Sequence, residues 1–375
     1  MEGGYGFLLD LALILLSTKL LGLLTQRFQL PQVVGALLAG LILGPAVLNV
    51  IQETEFIKET AEVGVIVMMF CAGMETDVNV LKNSGKAAFV IALIGVLVPI
   101  AGGFGLTYFF NRPGVIDSDA TTATYLQNLF IGVVLTATSV SITVETLREL
   151  GKLKTRSGNA ILGAAIIDDV LGIIALTVIS SLADSSVSIW MVLLQIVGFF
   201  VFVAVAGFLF YHFYIHWVVP KQKGMHRHVI IAFVFCLLMS YIAEVVFGVA
   251  DITGAFCAGV IISMTQRSQY LNSKFDVLSY AYLSPLFFAS IGLQVTLPTM
   301  TPAIISFSVL LIVVAVLTKV VGCGVGAKLC HYQNYQAARI GVGMISRGEV
   351  ALIVASKGMA LGLLGNNSLG PVILM

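Results

Sequence analysis

The sequence predicts an all-α polytopic membrane protein with thirteen transmembrane helices, arranged as inverted repeats with two broken crossing helices. Three observations predict this class: an apolar composition, thirteen separate hydrophobic segments, and a match of the chain to itself at a fixed offset. Lipid tolerates only helices and closed barrels, because every backbone polar group must be paired. The segments are continuous apolar runs and not ten-residue alternations, which favours helices over barrel strands.

The composition predicts a chain surrounded by membrane lipid. It is 58% hydrophobic and 10% charged, with a mean hydropathy of +1.02, whereas a typical soluble domain is about 25% charged. The net charge of +1 argues against a nucleic-acid partner. The five cysteines lie in or beside apolar runs without metal-ligand spacing, and the five histidines lie at helix ends or in loops. We therefore expect free thiols and no resident cofactor or structural metal.

The predicted segments follow one another with short connections. They span residues 6–25, 31–50, 60–76, 86–110, 124–147, 158–183, 188–216, 228–248, 251–264, 276–297, 302–330 and 336–360, with a last one beginning near 367. The last run, Asn367 to Met375, is too short to cross a bilayer. We therefore expect the given sequence to end inside a thirteenth helix.

Basic residues predict the orientation. Loops after odd-numbered segments hold fourteen of the twenty lysines and arginines, and loops after even-numbered segments hold three. Cytoplasmic loops carry the excess of basic residues. The pattern predicts a multi-pass protein of the cell membrane with its N-terminus outside.

The chain repeats itself with inverted orientation. Residues 34–43 match residues 253–262 at an offset of 219, and Gly73 falls on Gly292 at the same offset. Beyond the longer 111–123 loop the offset falls to 209. Segment 2 starts inside and segment 9 outside, so segments 1–6 and 8–13 form inverted halves linked by segment 7. Inverted repeats with a midplane site are typical of secondary transporters.

Two adjacent aspartates, Asp168 and Asp169, lie in the middle of an apolar stretch, residues 161–179, that is long enough to span a bilayer. A charged side chain at the bilayer centre costs about 2.5–3.5 kcal/mol on insertion scales, and neighbouring carboxylates repel each other. A polar contact that only stabilises a helix bundle is one alternative. The pair is more typical of a proton or cation site.

Two polar clusters interrupt segments 5 and 12 at equivalent places of the repeats. They are residues 136–143, which contain Thr138 and Ser139, and residues 344–350, which contain Arg347 and Glu349. Paired interruptions of this kind point to a transporter site and predict two non-helical crossings, at 136–141 and 345–350. An intact helix with back-bonded hydroxyls is an alternative for the first cluster, and a mutual ion pair of Arg347 and Glu349 is one for the second.

Lys319 lies deep in segment 11, too far from either end to reach water easily. A buried lysine needs an anion or loses its proton, and Asp168 or Asp169 is the natural partner. Pairing one carboxylate leaves the other for a ligand. Acids near segment ends, such as Glu75, are expected to be structural or interfacial.

Several of these motifs together resemble one family. They are residues 30–45, 137–143, 167–172 and 346–350, together with Lys319. Across essentially the whole chain they resemble bacterial sodium/proton antiporters of the monovalent cation:proton antiporter-2 family. The paired aspartates and the membrane lysine resemble the motif of the electrogenic sodium/proton branch of this family. The related glutathione-gated potassium/proton exchangers usually have a Gln-Asp pair instead, together with a cytosolic nucleotide-binding domain. The sequence leaves open whether a cytosolic domain follows residue 375.

The resemblance implies a homodimer and an elevator-like motion. It assigns residues 1–85 and 221–300 to a dimer-forming scaffold, residues 86–183 and 301–375 to an ion-carrying core, and residues 184–220 to a linker. The ion- and proton-binding positions of the family match Asp168, Asp169, Thr138 and Ser139, with Asp169 as the Na⁺ ligand, and its charge-compensating positions match Lys319, Arg347 and Glu349.

The expected function is exchange of Na⁺, or of Li⁺ or K⁺, for H⁺, without enzymatic chemistry. A sodium-coupled organic-solute symporter of the same architecture is the main alternative. An intramembrane aspartyl protease is disfavoured, because adjacent aspartates lie about 100° apart on one helix and cannot face each other. A passive channel is disfavoured by the inverted repeat with its buried lysine.

Overall fold

The computed structural model of the protein describes residues 6–28, 30–76, 78–112, 116, 120–183, 189–218, 225–295, 301–365, 368 and 371–372. Within these ranges the regular structure is entirely helical. Seven helical stretches there have the length and composition to cross a membrane. The protein is therefore a multi-pass, all-helical membrane protein.

Fifteen α-helices are present in the described ranges. They are α1 Gly6–Arg27, α2 Gln32–Leu43, α3 Glu55–Glu75, α4 Val78–Phe110, α5 Thr124–Val134, α6 Val140–Glu149, α7 Arg156–Ala183, α8 Ile189–Phe213, α9 Met225–Phe247, α10 Asp251–Ser263, α11 Ser268–Leu278, α12 Ser284–Leu293, α13 Pro302–Leu329, α14 Asn334–Gly343 and α15 Glu349–Ala360. Two π-helical segments extend this series, Tyr214–Val218 after α8 and Ser279–Leu283 between α11 and α12.

Helix boundaries follow local chemistry. The Thr54 hydroxyl accepts a hydrogen bond from the Ile57 amide at the start of α3, and Thr301 does the same at the start of α13. After α6, Gly151 adopts a φ of +63°, a conformation that ends helices and suits glycine.

Several predicted segments start too late in the chain, and two of them start eight residues too late. The helix predicted from residue 86 begins at Val78, and the helical stretch predicted from 276 begins at Ser268. The additional helical residues, 78–85 and 268–275, are rich in polar side chains, and a prediction from apolar content alone therefore does not include them. Most of the segment predicted from residue 367 lies outside the described residues, so the count of thirteen crossings stays a prediction.

The chain divides into two compact units. Unit 1 contains Met1–Asn79, Val144–Lys154 and Gln195–Val295, and unit 2 contains Val80–Thr143, Thr155–Leu194 and Thr296–Met375. Helix α6 contributes to both, because its first residues group with unit 2 and the rest with unit 1.

Unit 1 is held by helix pairs that approach backbone to backbone. A Cβ atom added to Gly40 of α2 would lie 1.9 Å from the Ala289 carbonyl oxygen of α12, and one added to Gly292 would lie 2.4 Å from the Leu37 oxygen. Helices α3 and α10 meet in the same way at Gly73 and Gly259, where added Cβ atoms would lie 2.3 and 2.2 Å from carbonyl oxygens of the facing helix. Small residues permit such close helix packing in membranes.

Unit 2 has its own apolar core, which includes Phe130, Leu135, Phe307 and Leu311, all buried. Helix α5 lies against α4 at Gly132, where an added Cβ would be 2.5 Å from the Ile100 carbonyl oxygen. This packing fixes the end of α5, where the helix stops inside the unit.

Candidate ion-binding site

Two helices are interrupted in the middle of unit 2. Helix α5 ends at Val134 and α6 begins at Val140, while α14 ends at Gly343 and α15 begins at Glu349. The interruptions therefore cover residues 135–139 and 344–348, within a few residues of the predicted crossings. The alternative of an intact, back-bonded helix 5 is wrong.

Hydrogen bonds join the two interruptions directly. The Ser139 amide donates to the Ser346 carbonyl at 2.9 Å, and the Ser346 hydroxyl donates to the Ser139 carbonyl at 3.0 Å. Thr143 adds a hydroxyl contact of 2.5 Å to Ser346, and the Thr138 hydroxyl reaches the Met344 carbonyl at 3.4 Å. The hydroxyls and carbonyls that leave the helical ladder thus pair across the crossover, which is how polar backbone is tolerated at membrane depth.

Of the two aspartates expected as partners of Lys319, Asp168 makes the contact. Lys319 Nζ lies 2.9 Å from Oδ1 and 3.0 Å from Oδ2 of Asp168, and both side chains are almost fully buried. The ammonium also donates to the Thr136 carbonyl at 2.7 Å and the Gly95 carbonyl at 3.1 Å. A buried ion pair is tolerable when such additional hydrogen bonds satisfy its remaining donors.

Asp169 differs from Asp168 in its surroundings. It is the next residue on α7 and is partly exposed, whereas Asp168 is 2% exposed. Successive residues of an α-helix point about 100° apart, so the two carboxylates face different environments. Lys319 compensates the charge of Asp168, whereas Asp169 lies on a more exposed side of α7.

Thr138 and Ser139, the other predicted ligands, are fully buried at the crossover. The Thr138 side chain contacts Asp168, and the Ser139 hydroxyl lies 2.9 Å from that of Ser141. The crossover and the ion pair are thus parts of one polar centre.

Arg347 bonds to backbone carbonyls. It donates to Ile345 and Leu135, each at 2.8 Å, and to Ala315 at 3.2 Å. The guanidinium thereby places positive charge at the C-terminal end of α5, where the helix dipole is negative. Glu349 begins α15, and its side chain lies outside the described part of the chain, so its pairing with Arg347 is untested.

Sequence reasoning missed a second charged cluster, which lies in unit 1 around Arg148. Arg148 lies just beyond the segment predicted over residues 124–147, but the structure includes it in α6, where it donates to Glu75 at 2.8 Å. The available signal was the spacing of Glu145 and Arg148, three residues apart on a helix and close enough to interact.

Comparisons with known proteins agree with this architecture. The family model described as "Sodium/hydrogen exchanger, transmembrane" matches residues 12–375. The chain is 38% identical over 374 residues to the Na⁺/H⁺-K⁺ antiporter GerN of Bacillus cereus, covering 99% of this chain and 92% of that protein. It is 34% identical over 376 residues to a Na⁺/H⁺ antiporter of Enterococcus hirae, covering 97% and 93%.

The fold is also similar to a solved structure, that of the sodium proton antiporter MjNhaP1 from Methanocaldococcus jannaschii. The TM-score is 0.69, the sequence identity is 17%, and the match covers 97% of this chain and 92% of that one. At this identity the likeness bears on the fold alone.

A helical membrane protein with a polar centre at interrupted helices is a transporter by class, and the relatives at 34–38% identity are antiporters and not enzymes. The chain belongs to the sodium/hydrogen exchanger family, and it is a cation/proton antiporter of the bacterial type.

Proposed function

We propose that the protein exchanges Na⁺ for H⁺ across the cell membrane, with Asp169 as the carboxylate that carries either ion. The observation that carries this proposal is the buried Lys319–Asp168 pair at the crossover, beside a second carboxylate that is partly exposed. The relatives' names support sodium and protons as the exchanged ions.

In the proposed mechanism the two ions compete for Asp169. A carboxylate in a partly dry site binds a proton more tightly than one in water, so the site is protonated in acid. As pH rises it ionises and takes Na⁺, with hydroxyl and carbonyl oxygens of Thr138 and Ser139 as hard ligands. Only a neutralised site crosses cheaply, because moving a bare charge through the membrane is costly. Lys319, Arg347 and Glu349 compensate the remaining charges of the centre.

Close contacts between helices support the proposed inverted repeat. Gly40 and Gly259 are 219 residues apart, as are Gly73 and Gly292, and each of these glycines abuts a helix of the other half. Gly132 and Gly341 are related by the second offset and abut α4 and α13 respectively. Equivalent positions thus make equivalent contacts, which is expected of halves related by a pseudo-two-fold axis.

We assign the moving part of an elevator-like cycle to unit 2, which contains the polar centre, and the static scaffold of a homodimer to unit 1. Large apolar side chains exposed on α1, such as Leu16 and Leu20, are available to lipid or to a second copy. The distribution of basic residues among the loops supports an N-terminus outside the cell membrane.

Potassium is a second candidate ion. The printed name of the relative GerN includes K⁺ beside Na⁺ and H⁺. No observation favours the alternative of an organic-solute symporter.

The test is exchange by the purified protein in proteoliposomes. Proton movement is recorded as Na⁺, Li⁺ or K⁺ is added at a fixed membrane potential, for the wild type and for Asp169→Asn. We expect Na⁺-driven proton movement in the wild type and its loss in the variant, which keeps side-chain size but cannot ionise. Asp10→Asn, on α1 outside the polar centre, is the matched control and should exchange normally. Wild-type exchange by a folded Asp169→Asn protein would refute the proposal.

A further inference from the structure

The second half of α6 carries an ionic cluster that the proposed exchange site does not use. Arg148 donates to Glu75 through Nη2 at 2.8 Å and Nε at 3.2 Å, and its Nη1 lies 3.4 Å from Asp276 and 3.8 Å from Glu145. We call these four residues the Arg148 cluster. One guanidinium therefore faces three carboxyl groups of unit 1, of which those of Glu75 and Glu145 are largely buried and that of Asp276 is 48% exposed.

This cluster is incompletely satisfied. The side chains of Arg148, Glu75 and Glu145 are only 15%, 17% and 10% exposed. Among the described residues, Glu145 Oε2 and the nearby Asn272 Oδ1 are buried without a hydrogen-bond partner. A buried acceptor without a partner is unfavourable, and like-charged carboxylates repel each other. Arg148 thus supplies the positive charge of the cluster, and the side-chain amide of Asn272 adds a hydrogen bond to Glu75 at 3.2 Å.

Helix α6 connects this cluster to the crossover. At its start, the Ile142 amide donates to the Ser139 hydroxyl at 3.3 Å and Thr143 bonds to Ser346. At its end, Glu149 accepts a hydrogen bond from the Gln32 amide at 2.6 Å. An α-helix rises 1.5 Å per residue, so Arg148 lies roughly 8 Å along a stiff rod from Thr143.

Space for a shift of α6 lies beside this helix. A cavity of about 270 Å³ in unit 1 is lined by Glu145 and Glu149 on α6 and by Lys19, Tyr280 and Phe288 on its other sides. The end of α6 is therefore not packed on all sides.

We propose that Arg148 is a positioning residue for antiport: its cluster latches the end of α6 in one conformation of the transport cycle and releases it in the other. The inference rests on the proposed function, because an alternating transporter needs two conformations. The contact that must break is the Arg148 cluster, and α6 is the helix through which its breaking reaches the crossover.

Cys71 of α3 is a native reporter of the latch. Its side chain is fully buried and lies next to the Arg148 guanidinium. A thiol in a dry interior reacts slowly, because the thiolate is the reactive form and needs solvation. Opening the cluster should hydrate Cys71 and accelerate its alkylation.

The experiment uses a variant in which the other four cysteines are alanine, after its Na⁺/H⁺ exchange has been checked in proteoliposomes. Alkylation of Cys71 by a membrane-permeant maleimide is timed with and without Na⁺ under an imposed proton gradient. We expect Na⁺ to accelerate labelling, because turnover opens the latch, and Asp169→Asn to abolish this dependence.

Arg148→Gln should accelerate labelling about tenfold without Na⁺, which corresponds to about 1.4 kcal/mol, and should remove the response to Na⁺. Arg148→Lys should restore part of the response, because the charge returns. Arg339→Gln, at an exposed arginine of α14, is the control and should change nothing.

If the alkylation rate of Cys71 is the same with and without Na⁺ in a protein that exchanges Na⁺, the proposed latch is wrong, whatever the stability of Arg148→Gln. Exchange by Asp169→Asn at the wild-type rate would instead overturn the proposed function, so the two failures are distinguishable.

Discussion

Lys319 shows how the protein keeps a charge inside an apolar helix. Its ammonium has three donors, and two carbonyls and one carboxylate accept from it, so the positive charge is balanced and its hydrogen bonds are made. Removing one partner of a buried pair is strongly destabilising, because the other charge stays behind uncompensated.

We expect Lys319→Gln to destabilise the protein by about 3–5 kcal/mol, the usual cost of breaking a buried ion pair. If Lys319 contributes a movable charge, the variant should also lose part of the voltage dependence of exchange. Thermal unfolding in detergent and exchange at several membrane potentials measure the two effects. Lys328→Gln, an exposed lysine bonded to Asn334, is the control. Unchanged stability together with unchanged voltage dependence would contradict the assigned role.

The residues of the polar centre were largely predictable, because polar groups at membrane depth are rare and must find one another. A contact of Lys319 with one aspartate of the pair follows from this argument, and the structure shows that this aspartate is Asp168. The hydrogen bonds of Arg347 to backbone carbonyls could not be predicted in this way. The sequence suggests only charged partners for Arg347 and does not indicate which backbone carbonyls lack a partner in the folded chain. The Arg148 cluster was missed because its acids come from α3, α6 and α11, which are distant in sequence.

At the scale of the helices, two local features shape the fold: interruptions of helices and glycine contacts between them. Interruptions at 135–139 and 344–348 open the backbone for polar contacts, and glycines let helices pass at backbone distance. The equivalent positions of two polar clusters in the repeats predicted both interruptions. The helical character of residues 268–275 was not predictable from apolar content, because this stretch is polar.

Glycine at the contact of α2 and α12 should be irreplaceable. Gly40→Ala places a methyl 1.9 Å from the Ala289 oxygen, so the helices must separate, at a cost of about 1–3 kcal/mol or more. Gly105→Ala on α4 is the matched control, because an added Cβ meets nothing within 4 Å there. Both changes favour the helix by about 1 kcal/mol. A lower melting temperature for Gly40→Ala alone is expected. Equal melting temperatures would show that α2 and α12 tolerate separation.

For the molecule as a whole, the distribution of basic residues predicts which loops face the cytoplasm. Lys152 follows α6 on the predicted inner side, and Arg112 follows α4 on the predicted outer side; both are exposed. In right-side-out vesicles, a membrane-impermeant maleimide should label Arg112→Cys and spare Lys152→Cys until the vesicles are opened. The reverse pattern would invert the proposed orientation.

The reciprocal glycine contacts also bear on how such a chain can evolve. Gly40 in the first half lies against the helix of Gly292 in the second, and Gly73 lies against the helix of Gly259. Each half therefore restricts the side-chain size of the other. A larger side chain at one of these positions would meet the backbone of the facing helix, and no substitution there could make room for it. If the halves arose by duplication of one gene, these four positions could not diverge afterwards, whereas the polar centre, with one aspartate pair and one lysine on different helices, was free to become asymmetric.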